Sequence, residues 1–203
     1  DEKNGKPCTS FFTCGTPMAS TVGSEVMSGP RNIDKAKSLV AESGYKGEKV
    51  VVLSASDQPI VHAQALLTTD ALKKIGVNAE VAVSDWGTLL NRRANKETND
   101  KGGWNIFHTW WVGTDVANPA VNAPMRGNGE RGWFGWSSDE ELEKLRAAWF
   151  DAPDVAAQKK IADDIQKRGW EVVPFVPTAQ FILPTAFRKN IKGVIIAPVT
   201  FLW

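Results

Sequence analysis

The sequence predicts an α/β fold, on three observations. Short β-branched runs alternate with stretches of helical apolar spacing. Gly, Asn, Asp and Pro stand at the joints between them, and a 203-residue chain that is 42% hydrophobic has ample material for a core. The first helix is expected over 33–43. Asn32 is its N-cap, Ala36, Leu39 and Val40 are its apolar face, and Gly44 is its stop. The run KVVVLS at 49–54 reads as a short buried strand. Asp57 and Pro59 then open a second helix, whose residues Ile60, Ala63, Leu67, Ala71, Leu72 and Ile75 keep helical spacing up to Gly76. Val77, Ala79, Val81 and Val83 alternate with polar residues, as in a half-buried strand. Asp85 caps a short helix through Leu89 and Leu90, and 104–111 is expected as the next strand.

Strand, helix, strand, helix, strand is the order of a βαβ-type sheet flanked by helices. Further on, Ser138 and Glu141 form an expected capping box, with Leu142, Leu145 and Trp149 along one helix face. Pro153 stands near the start of a last helix through Val155, Ile161 and Ile165. Beyond Val172 the texture changes, because Pro174, Pro177, Pro184 and Pro198 cut short apolar runs into a C-terminal tail of brief strands. Residues 1–30, rich in Gly, Pro, Ser and Thr, read as an extended lead-in.

Composition excludes several function classes. There are 24 basic and 23 acidic residues, well mixed, for a net charge of +1. With no basic block and no zinc spacing, nucleic acid is a poor partner. No apolar run has transmembrane length. The opening DEKNGKPCTSFF lacks the basic-then-apolar order of a signal peptide. Cys8 and Cys14 are separated by five residues, a spacing that suits a small disulfide loop in an exported protein or two ordinary thiols in the cytosol.

Nine tryptophans are present, and five of them fall within 104–136: Trp104, Trp110, Trp111, Trp133 and Trp136. Indole combines a large apolar area with one N–H donor, so rings on a broken loop suggest a surface for a ligand or partner. Trp104, alternating with Phe107, and Trp149, at helical spacing, are better read as core. Trp133 and Trp136, in a Gly-rich loop, are the candidates for a ligand wall or lid. His62 and His108 have no acid or cysteine at metal-ligand spacing, and a packed or hydrogen-bonded role suits His108 best. Gly127, Gly129 and Gly132 match G-x-G-x-x-G without the flanking strand and helix that a nucleotide site needs, so they read as loop glycines. Asp115 stands just past Trp110 and Trp111, where a strand is expected to end. In open α/β sheets ligands collect at such strand ends, and a carboxylate beside aromatic walls suits a cationic amine. The plain alternative for Asp115 is a turn aspartate bonded to its own backbone. A hydrolase using Asp115 or Glu130 as acid or base lacks a second positioned group.

Several runs together resemble extracellular solute-binding protein family 5, the dipeptide- and oligopeptide-binding components of ABC importers. They are CGTPM at 14–18, GYKGEKVVVL at 44–53, DWGTLLNRRA at 85–94, GGWNIFHTWW at 102–111, SSDEELEKLRAAWF at 137–150, VPFVPTAQF at 173–181 and PTAFRKNIKGV at 184–194. The resemblance runs in order over nearly the whole chain. It implies the second lobe of a type II periplasmic-binding-protein fold, with 31–172 as the ligand-binding lobe and 173–203 as a return segment toward a first lobe. It also implies a non-enzymatic receptor that works as a monomer, without metal or cofactor, in the periplasm or as a lipoprotein on the outer face of the membrane. Such a receptor traps a peptide-like solute between lobes and delivers it to permease subunits; carbohydrates and opines are the alternative solutes. Export favours a Cys8–Cys14 bond. In peptide-binding members an aspartate soon after this strand end pairs with the ligand's α-amino group, and Asp115 is the matching position. Thr114 is inserted relative to the commoner spacing, and Asn118 replaces an acidic residue before the proline. Trp110, Trp111, Trp133 and Trp136 would supply the aromatic walls.

Overall fold

A computed structural model describes residues 5–184 and 186–195. In chain order its elements are β1 (Gly5–Lys6), α1 (Ile33–Glu42), β2 (Val50–Ala55), α2 (Pro59–Lys74), β3 (Ala79–Ser84), α3 (Trp86–Arg92), β4 (Ile106–Phe107), α4 (Glu140–Asp151), α5 (Val155–Val172) and β5 (Gln180–Phe181). They fall into two units: Pro30–Trp110, and Asp1–Gly29 with Trp111–Trp203.

The unit Pro30–Trp110 is built on a parallel sheet of order β3-β2-β4. β2 is central. Its Val51, Val52, Leu53, Ser54 and Ala55 are all buried, which is why this strand reads as an unbroken apolar run while the edge strand β3 alternates. Val51, Leu53 and Ala55 form a core cluster with Val61 and Leu89, and Trp104 and Phe107 pack against it edge to face, 4.9 Å apart. Caps follow the sequence signals. Asn32 accepts from the Lys35 amide, Asp85 accepts from the Thr88 amide, and Pro59 opens α2. Asp57 instead accepts from the Trp86 amide at 2.8 Å, so it ties the β2–α2 turn to the start of α3.

Three expectations are corrected in this unit. The strand expected at 104–111 has only two ladder residues. At the head of that ladder the Asn105 side-chain oxygen takes the Val51 amide at 2.8 Å, in place of a main-chain carbonyl. The face expected for α2 is the wrong one. Ile60 and Leu67 are 46% and 70% exposed, while Val61, Ala65 and Thr69 are buried. Apolar residues lie on more than one side of this helix, and polar contacts fix the side that packs. His62 Nδ1 meets the Ser54 hydroxyl at 2.8 Å, and the Thr68 hydroxyl meets His108 Nε2 at 2.9 Å. Burial holds the His108 imidazole below its usual pKa, which favours the neutral ring that such packing needs. Helix α1 buries none of its residues. Leu39 is 55% exposed because it stands about 100° around the helix from Val40.

In the other unit, α4 and α5 pack their apolar faces on the N-terminal segment. Phe11, Phe12 and Met18 share a core with Met125, Leu142, Trp149, Ala162, Ile165 and Trp170. The segment expected as an extended lead-in thus holds core residues, with only the two-residue β1 and the 3-10 turn Ser24–Met27 as regular elements among its described residues. The Phe11 ring lies 4.8 Å from Trp170 and 5.0 Å from Phe175. Gly169 is where α5 comes closest, since an added Cβ would meet the Phe11 ring at 2.7 Å. Helix α4 is capped by Asp139, which accepts from the Leu142 amide, and Ser138 is in an isolated bridge with Asn128 instead. The helix starts at Glu140, one residue later than the Ser138–Glu141 box requires, so Asp139 takes the cap position, and its carboxylate also binds Arg168. β1 and β5 pair antiparallel, which places one short strand of the tail.

Candidate functional site

Cys8 and Cys14 are bonded to each other, with Cα atoms 6.0 Å apart, and the ring they close carries Phe11 and Phe12 into the core. Buried main-chain groups need partners, and two buried amide side chains supply them. The Phe11 N–H donates to Gln166 Oε1 at 2.8 Å, and its carbonyl accepts from Asn122 Nδ2 at 2.8 Å. Gln166 Nε2 also donates to the Thr9 carbonyl at 3.0 Å. Gln166 comes from α5. Asn122 comes from the head of the 3-10 turn Ala123–Met125, whose Met125 amide it accepts.

The next residue in the ring, Thr13, holds the 3-10 turn Gly113–Val116. Its N–H donates to the Val116 carbonyl at 3.2 Å, and its hydroxyl donates to the Gly113 carbonyl. Gly113 makes the approach close, because a Cβ there would lie 3.1 Å from the Thr13 methyl. The turn presents Thr114 and Asp115, both exposed. The Thr114 hydroxyl donates to Asp115 Oδ1 at 3.2 Å. Asp115 therefore stands on a short turn anchored from the side by the disulfide ring.

The structure joins two of the tryptophans singled out in the sequence. Trp111 and Trp133 lie 5.1 Å apart by ring centroid, and Phe134 follows at 5.4 Å from Trp133. Trp136, half-buried and at φ 50°, turns back so that its amide donates to the Trp133 carbonyl at 2.8 Å. Trp110 belongs to the other unit and is 43% exposed.

An open cavity of about 310 Å³ lies beside Trp133, with Arg126, Arg131, Asn122 and Asn128 in its wall and the apolar residues Val121 and Ala123 from the preceding turn. The glycines of the adjoining loop serve packing. A Cβ on Gly127 would come within 2.3 Å of the Asp139 carbonyl oxygen, and Gly129 has φ 58°. The glycines thus let the loop lie on the start of α4. Ion pairs clamp it there. Arg126 makes paired bonds of 2.9 and 2.8 Å to Glu143, which also accepts the Gly127 amide, and Arg168 binds Asp139 at 2.6 Å. The guanidinium bonds hold both carboxyls below the usual carboxylate range: Glu143 through Arg126, and Asp139 through Arg168.

Sequence reasoning singled out Asp115 and the rings but not Thr13, Asn122, Gln166, Arg126 or Arg131. The first three act through partners a hundred or more residues away, where no local pattern reaches. The arginines did leave a signal, since two cations stand among glycines next to Trp133.

The family model described as bacterial extracellular solute-binding proteins, family 5 Middle, matches residues 2–133. The probable peptide ABC transporter periplasmic-binding protein y4tO of Sinorhizobium fredii is 37% identical over 198 residues, which is 98% of this chain. The chain spans 37% of that protein's length. Among solved structures, the ABC transporter substrate-binding protein CtaP of Listeria monocytogenes has a TM-score of 0.71 at 19% identity, over 89% of this chain and 36% of its own. The dipeptide-binding protein of Pseudoalteromonas sp. SM9913, in complex with Met-Leu, has a TM-score of 0.67 at 18% identity, over 98% and 39%. These likenesses bear out the expected periplasmic-binding-protein fold, with its parallel sheet flanked by helices. The family match covers well over half of the chain, and the resemblance carried by its motifs stands confirmed: the chain belongs to the bacterial extracellular solute-binding proteins, family 5.

Proposed function

We propose that this chain forms part of a solute receptor of an ABC importer, and that it binds a peptide-like solute through Asp115 without catalysing a reaction. The observation that carries this reading is the exposed Asp115 carboxylate, presented on a turn that Thr13 anchors and that begins two residues after Trp111, whose ring packs against Trp133. A carboxylate fixed in this way is a ready partner for an ammonium group, because little ordering is left to do on binding. Trp111 and Trp133 give the solute an apolar wall, with Trp136 as a further ring, and Thr114 orients the carboxylate. The relative in Sinorhizobium fredii, a probable peptide ABC transporter periplasmic-binding protein, supports the peptide class and a place in the periplasm or at the outer face of the membrane. Permease subunits are the partners that receive the solute.

The test is titration of the chain with Met-Leu and with N-acetyl-Met-Leu, followed by NMR at the Asp115 amide. A chain about a third as long as its relative covers one side of a solute, so millimolar affinity is expected for the free peptide. N-acetylation, or Asp115→Asn, weakens it roughly tenfold, the loss of about 1.4 kcal/mol of charge pairing. Equal affinity for the two peptides refutes the amine contact. Hydrolysis of Met-Leu that is lost in Asp115→Asn refutes the non-enzymatic reading.

A further inference from the structure

The disulfide ring is held in two different ways along its length. Its first half is tied to the core by side chains. Gln166 accepts the Phe11 amide and donates to the Thr9 carbonyl, and Asn122 donates to the Phe11 carbonyl. The Ser10 hydroxyl oxygen accepts the amides of Phe12 and Ser20 at 3.1 and 3.2 Å. The second half lies nearer the surface: Thr13, Cys14 and Thr16 are half-buried, and Gly15 is exposed at φ 90°. The hydrogen bonds of this half go to the loop that carries Asp115. Thr13 donates to the carbonyls of Gly113 and Val116, and the Thr16 hydroxyl lies 3.4 Å from the Ala117 carbonyl and 2.7 Å from the Thr13 carbonyl. One short stretch thus holds three carbonyls of the loop, and the Cys14 bond fastens that stretch to the buried Cys8.

We propose that the Cys8–Cys14 bond is a redox control on solute binding. Closed, it holds Thr13 and Thr16 against the Asp115 turn; opened by a dithiol reductant, it frees the turn, and the affinity for the solute's ammonium group falls. Cys8 is buried and Cys14 half-buried, so the reductant attacks at Cys14. A thiolate of the dithiol bonds to Cys14 Sγ as the S–S bond breaks, and Cys8 leaves as a thiolate that takes up a proton. The second thiol then displaces Cys14, so two electrons pass to the protein and the dithiol ends as its own disulfide. Opening the ring returns conformational freedom to residues 13–16. The Phe11 clamp stays in place, because Gln166 and Asn122 form it without the disulfide. A freed turn must be ordered again when the solute binds, a cost that a fixed carboxylate avoids. This inference rests on the solute-binding reading, and it adds to that reading a chemical signal the site responds to.

The intact chain is compared oxidised and after treatment with dithiothreitol, with thiol labelling to show that the bond is open. NMR order parameters of the Gly113–Val116 amides report the turn, and hydrogen exchange at the Phe11 amide reports the core. On reduction the order parameters should fall from about 0.85 to below about 0.6, while Phe11 stays protected. Met-Leu should bind roughly three- to tenfold more weakly, and reoxidation should restore both values. Thr13→Val keeps the shape of the side chain and removes the hydroxyl bond to Gly113 with the disulfide closed. It should loosen the turn by itself, and reduction should then weaken binding little further, because both changes act through one anchor. A bond that stays closed under native conditions overturns the proposal, as do order parameters that stay high in the reduced chain. Loss of Phe11 protection together with the turn overturns it by making the effect global. Equal affinity for Met-Leu in the two forms overturns it too, as does reduction that weakens Thr13→Val as much as the parent. If Met-Leu binds neither form, the amine reading falls, and the order parameters alone decide whether the bond governs the turn.

Discussion

Replacing Gln166 by Met removes both arms of the clamp on the disulfide ring while changing almost nothing else. Methionine has nearly the length and helix propensity of glutamine, and residue 166 is fully buried in α5, so shape and helix are preserved. Two hydrogen bonds vanish: Phe11 N–H to Oε1 at 2.8 Å, and Nε2 to the Thr9 carbonyl at 3.0 Å. Phe11 is 2% exposed, so its amide is left in the core with no acceptor, at a cost of about 1–3 kcal/mol. Thr9 is half-buried and water reaches it, so its carbonyl adds less. The expected loss is about 2–3 kcal/mol, a large share of the roughly 5–15 kcal/mol that holds a domain together. Urea unfolding with the disulfide intact should move to a midpoint lower by about 1–2 M, with the slope unchanged. Hydrogen exchange adds a direct readout, because the Phe11 amide should lose most of its protection. A midpoint equal to the parent's, with the Phe11 amide still protected, refutes the claim that Gln166 holds the ring.

Two further outcomes follow from the loop on α4. The Arg168 bond depresses the Asp139 carboxyl, so its contribution is complete above the unfolded value near 3.9 and disappears as pH falls through the lower folded value. Asp139→Asn keeps a capping side chain but loses the charge pair, and should cost about 1–2 kcal/mol near neutral pH. Chemical unfolding at a series of pH values should show that gap closing below about pH 4, and a gap that persists unchanged in acid rules the ion pair out as its cause. Gly127→Ala would push a Cβ to 2.3 Å from the Asp139 main-chain oxygen, which cannot swing aside, so a loss of at least about 2 kcal/mol is expected. Differential scanning calorimetry that finds no drop in Tm contradicts the packing role of that glycine.

Much of the fold was legible because its signals are local. Asn32, Asp85 and Pro59 mark helix starts within one turn of the residues they serve, and the run at β2 announces a strand covered on both faces. The misreadings have a common physical origin in side chains that replace backbone groups or choose between faces. Asn105 takes a β2 amide with its side chain at the head of β4, His62 and Thr68 anchor α2, and Asp139, which also binds Arg168, caps α4 in place of Ser138. The site divides in the same way. Asp115 and the rings stood out by residue type, whereas the contact of Trp111 with Trp133 is supplied by the fold. Thr13 and Gln166 are ordinary residues made important by partners that only the folded chain supplies.

The clamp on Phe11 also sets an order of assembly. The two cysteines are six residues apart, so their ring can close as soon as both are oxidised. The groups that receive the ring come much later in the chain: Gly113 is 100 residues from Thr13, Asn122 is 111 from Phe11, and Gln166 is 155 from Phe11. Bringing such distant segments together carries a closure entropy that the local ring does not, and contacts of this range form slowly. A newly made chain therefore displays Phe11 and Phe12 on a closed, apolar knuckle until its last long helix arrives to cover them.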